Sequence, residues 1–87
     1  MSFPFIETQL ENNQYLREFA SDVAIEELEW HIDREDRIVE VVQNTDWHFQ
    51  LDNQLPILLK NSIFIPKETY HRVIKGNGKL IVKITKC

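Results

Sequence analysis

Ile63-Phe64-Ile65-Pro66-Lys67-Glu68-Thr69-Tyr70-His71 joins two strand-forming runs through a short polar connection. The β-branched and aromatic triplet at 63–65 favours a pleated, half-buried surface, and Pro66 stops it because proline has no donor for a sheet ladder. A second run over Tyr70–Ile74 follows, and Lys75-Gly76-Asn77-Gly78 then has the composition of a hairpin turn. Leu80, Val82 and Ile84 alternate with polar or outward residues, which is the period-two pattern of a last strand.

The same alternation extends toward the amino terminus. Leu55–Leu59 reads as a short strand with Pro56 near its start, where an edge tolerates the missing donor. Trp47, Phe49 and Leu51 alternate with His48, Gln50 and Asp52 after the turn cluster Asn44-Thr45-Asp46. Ile38–Val42 is β-branched, and the charged run Arg34-Glu35-Asp36-Arg37 makes the turn before it. Further upstream, Leu28, Trp30 and Ile32 alternate with Glu29, His31 and Asp33, so His31 and Asp33 point the same way. The first segment breaks the pattern. Thr8 and Glu11 have capping-box spacing, and Leu16, Phe19, Ala20 and Val23 recur at helical intervals, which predicts an α-helix over about residues 8 to 21. Six or seven short strands after one helix predict a mainly β protein, a small barrel or sandwich.

With 87 residues the chain has room for one domain only. Residues 1–27 are expected to form a helical segment packed on a barrel of residues 28–87. Net charge is −4, but residues 1–40 carry 3 basic and 11 acidic side chains while residues 41–87 carry 7 basic and 3 acidic. The lysines Lys75, Lys79, Lys83 and Lys86 are spaced singly along expected strands of an acidic molecule, so they read as sheet-edge protection and not as a nucleic-acid surface. No apolar run reaches the length of a membrane span, and the first residues lack the charge and apolar core of a signal peptide, which predicts a soluble, cytoplasmic protein. The single cysteine, Cys87, permits neither an internal disulfide nor a cysteine-based zinc site. Neither a glycine-rich phosphate loop nor a nucleophile elbow is present, so kinase, ATPase and serine-hydrolase chemistry is unsupported.

His31-Ile32-Asp33 on one strand, with Pro66, Glu68 and His71 at Pro-x-x-x-x-His spacing, resembles the cupin superfamily over about residues 28 to 84. In that family a His-x-His pair and a glutamate form the first motif, and Pro-x-Gly-x-x-His lies in the second. Here Asp33 replaces the second histidine, Arg37 stands near the glutamate position, Glu68 stands at the glycine and Lys60 replaces the glycine before the second motif. The resemblance implies a cupin-like double-stranded β-helix in which His31, Asp33 and His71 converge and hold one divalent metal ion, Fe, Mn, Ni or Zn. Two histidines and a carboxylate leave open positions on such an ion.

Arg37 opposes this reading, because a period of two places its cation on the same side as Asp33. The altered ligand set and the short chain favour a non-catalytic or small-ligand-binding module; the alternative is a metal-dependent oxygenase or isomerase. Arg37, Tyr70 and Trp47 are the pocket candidates, suited to a small anionic ligand. Trp30 and Trp47 read more simply as core or interface aromatics, and His48 as solvent-facing. Apolar residues on both faces of expected strands, such as Ile38-Val39 and Leu58-Leu59, suggest a homodimer.

Overall fold

A computed structural model describes residues 4–87. Its strands are β1 (Phe5–Glu11), β2 (Gln14–Phe19), β3 (Arg37–Val41), β4 (His48–Leu51), β5 (Ile57–Leu58), β6 (Ser62–Ile65), β7 (His71–Ile74) and β8 (Leu80–Lys86). They form a five-stranded sheet in the order β1-β2-β8-β3-β6 and a three-stranded sheet in the order β5-β4-β7, all pairs antiparallel. The sequence from β3 onward thus folds as its alternation predicts.

Register explains where the core lies. Phe19 is opposite Leu80, Arg17 opposite Val82, and Val39 opposite both Ile84 and Ile63, so one face of the large sheet turns inward. Phe49 is opposite Val73 and Leu51 opposite His71 in the small sheet. Directly opposed residues share a face, so His71 is carried inward beside Phe49 and Val73. Phe19, Val39, Trp47, Phe49, Leu80 and Ile84 are buried between the sheets.

The expected helix over residues 8 to 21 is absent. That segment is the β1-β2 hairpin, turned at Asn12-Asn13, and β2 lies between β1 and β8 in the large sheet. The helical spacing of Leu16, Phe19 and Val23 is coincidental: Phe19 and Val23 are buried, whereas Leu16 lies on the opposite face of β2. Pairing along β8 supplies six backbone partners and settles the contest that local spacing left open. The Asn-Asn pair is the turn signal that the helical reading passed over. The first 27 residues are therefore part of the sheet and not a helical layer upon it; the described portion contains only one 3-10 turn, Ile25–Glu27. The strand expected around Leu28–Asp33 is reduced to a single bridge, His31 with His71. No helix among the described residues is long and apolar enough to cross a membrane.

A clamp closes the turn before β8. The Asp46 carboxylate accepts the Asn77 backbone N–H and its side-chain amide, both at 2.8 Å. Gly76 packs so closely that a Cβ would meet the Asp46 carboxylate and lie within 2.7–2.8 Å of its backbone carbonyl. Gly76→Ala should cost about 1–3 kcal/mol in urea denaturation, the range of an overpacked site that must shift backbone. A midpoint equal to that of the parent protein would refute this packing.

Candidate metal centre

The bridge between His31 and His71 brings together two segments forty residues apart. Each residue's N–H donates to the other's carbonyl, at 3.0 and 2.9 Å. The loop after Pro66 is fixed to the Asp33–Asp36 turn as well: Glu68 N–H donates to Asp33 O at 2.7 Å and Lys67 N–H to Asp36 Oδ1 at 2.7 Å. Glu68 adopts φ 57°, the left-handed conformation that glycine accepts most easily. The family's glycine position is thus a conformational requirement that this chain meets with glutamate, and Asn61, next to Lys60, meets the same requirement at φ 58°.

His31, Asp33 and His71 each present one donor atom, and these lie within 4.8 Å of one another. Thr69 O lies 2.9 Å from His71 Nδ1, and Glu29 O lies 3.1 Å from His31 Nδ1. A carbonyl can only accept, so both rings carry a proton on Nδ1, and in a neutral imidazole the lone pair is then on Nε2. His71 Nε2 faces Asp33 Oδ2 at 3.2 Å. Burial pushes the His71 imidazole below its ordinary value, a shift opposed by the Thr69 carbonyl and the Asp33 carboxylate and reinforced by His31 and Arg37. With a neutral His71, two acceptors face each other. Asp33 Oδ2 is accordingly a buried oxygen without a hydrogen-bond partner. An orphaned carboxylate oxygen beside an imidazole lone pair is costly unless a cation lies between them. A separation near 3 Å suits adjacent donors on an ion whose ligand distances are roughly 2.0–2.2 Å. The residues therefore fit a divalent metal.

Arg37 does not disturb this. Its Nε and Nη2 donate to Glu35 Oε1 at 3.1 and 2.8 Å, and Nη2 lies 3.3 Å from Asp33 Oδ1. It orients Asp33 through one oxygen and leaves the other for His71, while Glu35 offsets its charge. The Arg37 hydrogen bond and charge hold the Glu35 carboxyl below its usual range, against a smaller opposing effect of burial.

These shifts set a pH dependence. A buried histidine with a lowered folded-state pKa contributes stability while it is neutral; that contribution is lost as pH falls from the unfolded value of about 6.5 toward the folded one. Glu35 contributes above its unfolded value and loses its part only at more acidic pH, below about 4.5. The metal-free protein should therefore show a urea midpoint that declines first just below pH 6.5 and again below pH 4.5. A midpoint independent of pH from 7 to 5 would contradict a neutral, buried His71.

The three donors stand at one side of an interior cavity of about 480 Å³. Arg37 lines it, whereas the other two expected pocket residues do not. Trp47 is 0% exposed, packed at a tilt against Phe19 with its Nε1–H donating to Gly78 O at 3.1 Å; Tyr70 is on the surface, 52% exposed. His48 is half-buried, its Nδ1 3.1 Å from Asp46 O. Sequence reasoning missed Glu35 as the counter-charge of Arg37, and missed Arg17 and Phe5, which line the cavity because β1 and β2 are strands. The only sequence signal for the latter was the Asn12-Asn13 turn.

No family model matches the chain, and no curated protein matches it in sequence. Solved structures do match it. A cupin domain from Bordetella pertussis aligns over 100% of this chain and 98% of its own, with TM-score 0.65 and 19% identity. HppE carrying cobalt(II) with Tris buffer aligns with TM-score 0.73 and 12% identity, over 95% of this chain and 53% of HppE. The DMSP lyase DddQ from Ruegeria pomeroyi aligns with TM-score 0.69 and 11% identity, over 84% of this chain and 36% of the lyase. This chain thus spans about a third of the lyase and half of HppE, and nearly all of the Bordetella domain. Two antiparallel sheets, an inward histidine after the Pro66 loop and these structural matches together give the chain the cupin fold.

Proposed function

We propose that the chain is a small cupin module that holds one divalent metal ion through His31, Asp33 and His71 and binds a small ligand at that ion from the interior cavity. The observation that carries this reading is Asp33 Oδ2, buried without a hydrogen-bond partner and 3.2 Å from Nε2 of a histidine whose neutral form burial favours. Two histidines and a carboxylate are the donor set of non-haem ferrous sites with open positions. When bound, such an ion supplies a Lewis acid and a place for a ligand oxygen. HppE has been crystallised with cobalt(II) and with Fe(II), so the fold accommodates ions of this class. His71, held by Thr69 and packed on Phe49, is the fixed donor; His31, exposed at the cavity rim, stands where ligands would enter. Whether the module goes on to act as an oxygenase or isomerase depends on the ligand it receives.

Elemental mass spectrometry on untagged protein incubated with ferrous, manganese, nickel or zinc ions tests the site. About one equivalent of metal should be retained by the parent protein and lost in His31→Ala and His71→Ala. Absence of metal under every condition would end the proposal.

A further inference from the structure

The cavity wall restricts what can occupy it. Its apolar lining includes Phe5, Phe19, Phe49, Val73 and Ile84, with Trp30 at the rim, 40% exposed. Among the described residues, no serine, threonine, asparagine, glutamine, lysine or tyrosine lines it. Away from the three donor residues and Trp30, the polar side chains on the wall are Arg17, Arg37 and Glu29. Both arginines are engaged by carboxylates. Arg37 is held by Glu35 and Asp33, and its side chain is only 12% exposed. Arg17 donates from Nε and Nη2 to Glu7 Oε1 at 3.2 and 2.7 Å, and its guanidinium lies 3.8 Å from the Phe5 ring centroid.

An anion at either arginine would share a guanidinium whose charge a carboxylate already offsets, and so would bring an uncompensated negative charge into a largely apolar wall. Glu29 adds a negative charge to the rim. Among the described residues, the place on the wall where a ligand oxygen gains most is the His31–Asp33–His71 cluster with its metal ion. From this we infer that the cavity selects ligands with an apolar, ring-sized body and a single polar end bearing adjacent oxygen donors, and rejects those with a second charged group. This inference rests on the metal-site reading above and adds the substrate class: a neutral or monoanionic chelate and not a phosphate ester or dicarboxylate. The cavity volume lies within the roughly 300–1,000 Å³ of ligand sites, so a substituted phenyl ring fits.

Three hydroxamates that share one chelating head separate the claims: acetohydroxamate, benzohydroxamate and 4-carboxybenzohydroxamate. Protein is loaded with cobalt(II), its metal content is measured before and after titration, and binding is followed by cobalt absorption and tryptophan fluorescence. Benzohydroxamate should bind at least tenfold more tightly than either of the others. Val82→Phe, which fills the cavity from β8 of the large sheet, a sheet that carries none of the three donors, should retain cobalt and acetohydroxamate binding but lose the benzohydroxamate advantage; thermal unfolding confirms that the variant is folded. Equal or tighter binding of the carboxylated compound, or no gain from the phenyl ring, would overturn the ligand class while leaving the metal site standing. Protein that takes up no cobalt would overturn both.

Discussion

Asp33→Asn should abolish metal retention and at the same time leave the metal-free protein more stable than its parent. The parent places a buried carboxylate oxygen 3.2 Å from His71 Nε2, in a ring whose neutral form burial favours. An asparagine in the same rotamer keeps its carbonyl oxygen toward Arg37, which lies 3.3 Å from Asp33 Oδ1, and turns its NH2 toward His71 Nε2. The orphaned acceptor becomes a donor, and two lone pairs in opposition become one hydrogen bond. Satisfying a buried polar group recovers about 1 kcal/mol or more, which in a domain of this size raises the melting temperature by roughly 4–8 °C. Metal affinity moves the other way, because a neutral amide replaces the only carboxylate of the donor set. The measurement is thermal unfolding of both proteins after exhaustive chelation, alongside elemental analysis. If the variant instead melts well below the parent, the Asp33 carboxylate is a structural ion-pair partner of a protonated His71, and the case for a cation between them fails. Stability given up at a site in exchange for ligand binding is a common sign of function.

The same pair shows why the site was legible from sequence and its surroundings were not. His31, Asp33 and His71 were recognisable by type and by their order along the chain, although no continuous strand aligns them: only His31 is bridged, to His71. Arg37 lines the same cavity, but a bend at Arg34–Glu35 precedes it and not the unbroken strand that a period of two assumes. What spacing could not show was Glu35, whose carboxylate takes the guanidinium at 2.8 Å and leaves one oxygen of Asp33 uncommitted. Which of several neighbouring charges pair depends on side-chain directions within a tight turn, not on periodicity.

The fold divides in the same way. From β3 onward, every strand coincides with a run of alternating or β-branched residues bounded by Pro, Gly or Asn. The amino-terminal hairpin lacks that clarity because β1 is an edge strand with six of its seven residues exposed, and its Ile6 and Leu10 lie on the outer face, so its alternation does not mark a core-facing side. An exposed edge carries little hydrophobic signal, and a chance helical spacing then dominates the reading. The misreading also hid half of the cavity wall, since Arg17 on a helix would have had no defined relation to Val82.

Trp30 and Trp47 are alike in sequence, each flanked by a histidine, yet their replacement by alanine should have very different consequences. Trp47 is 0% exposed, packs on Phe19 at 5.7 Å and donates its indole N–H to Gly78 O. Trp47→Ala removes the largest buried side chain together with its hydrogen bond to Gly78 O at the turn into β8, a loss of about 3–5 kcal/mol. A domain of this length is stable by only roughly 4–13 kcal/mol, so most of that margin disappears, and metal retention goes with it. Trp47→Phe keeps part of the packing but not the hydrogen bond, and should fall between the two. Trp30 is 40% exposed at the cavity rim, with Arg72 over its ring at 4.8 Å, and Trp30→Ala should cost under about 1 kcal/mol. Urea denaturation of the three variants checks the order. If Trp47→Ala proved as mild as Trp30→Ala, Trp47 would have to lie at the surface or against a cavity, and the packing of β4 against β2 and β8 described above would be wrong.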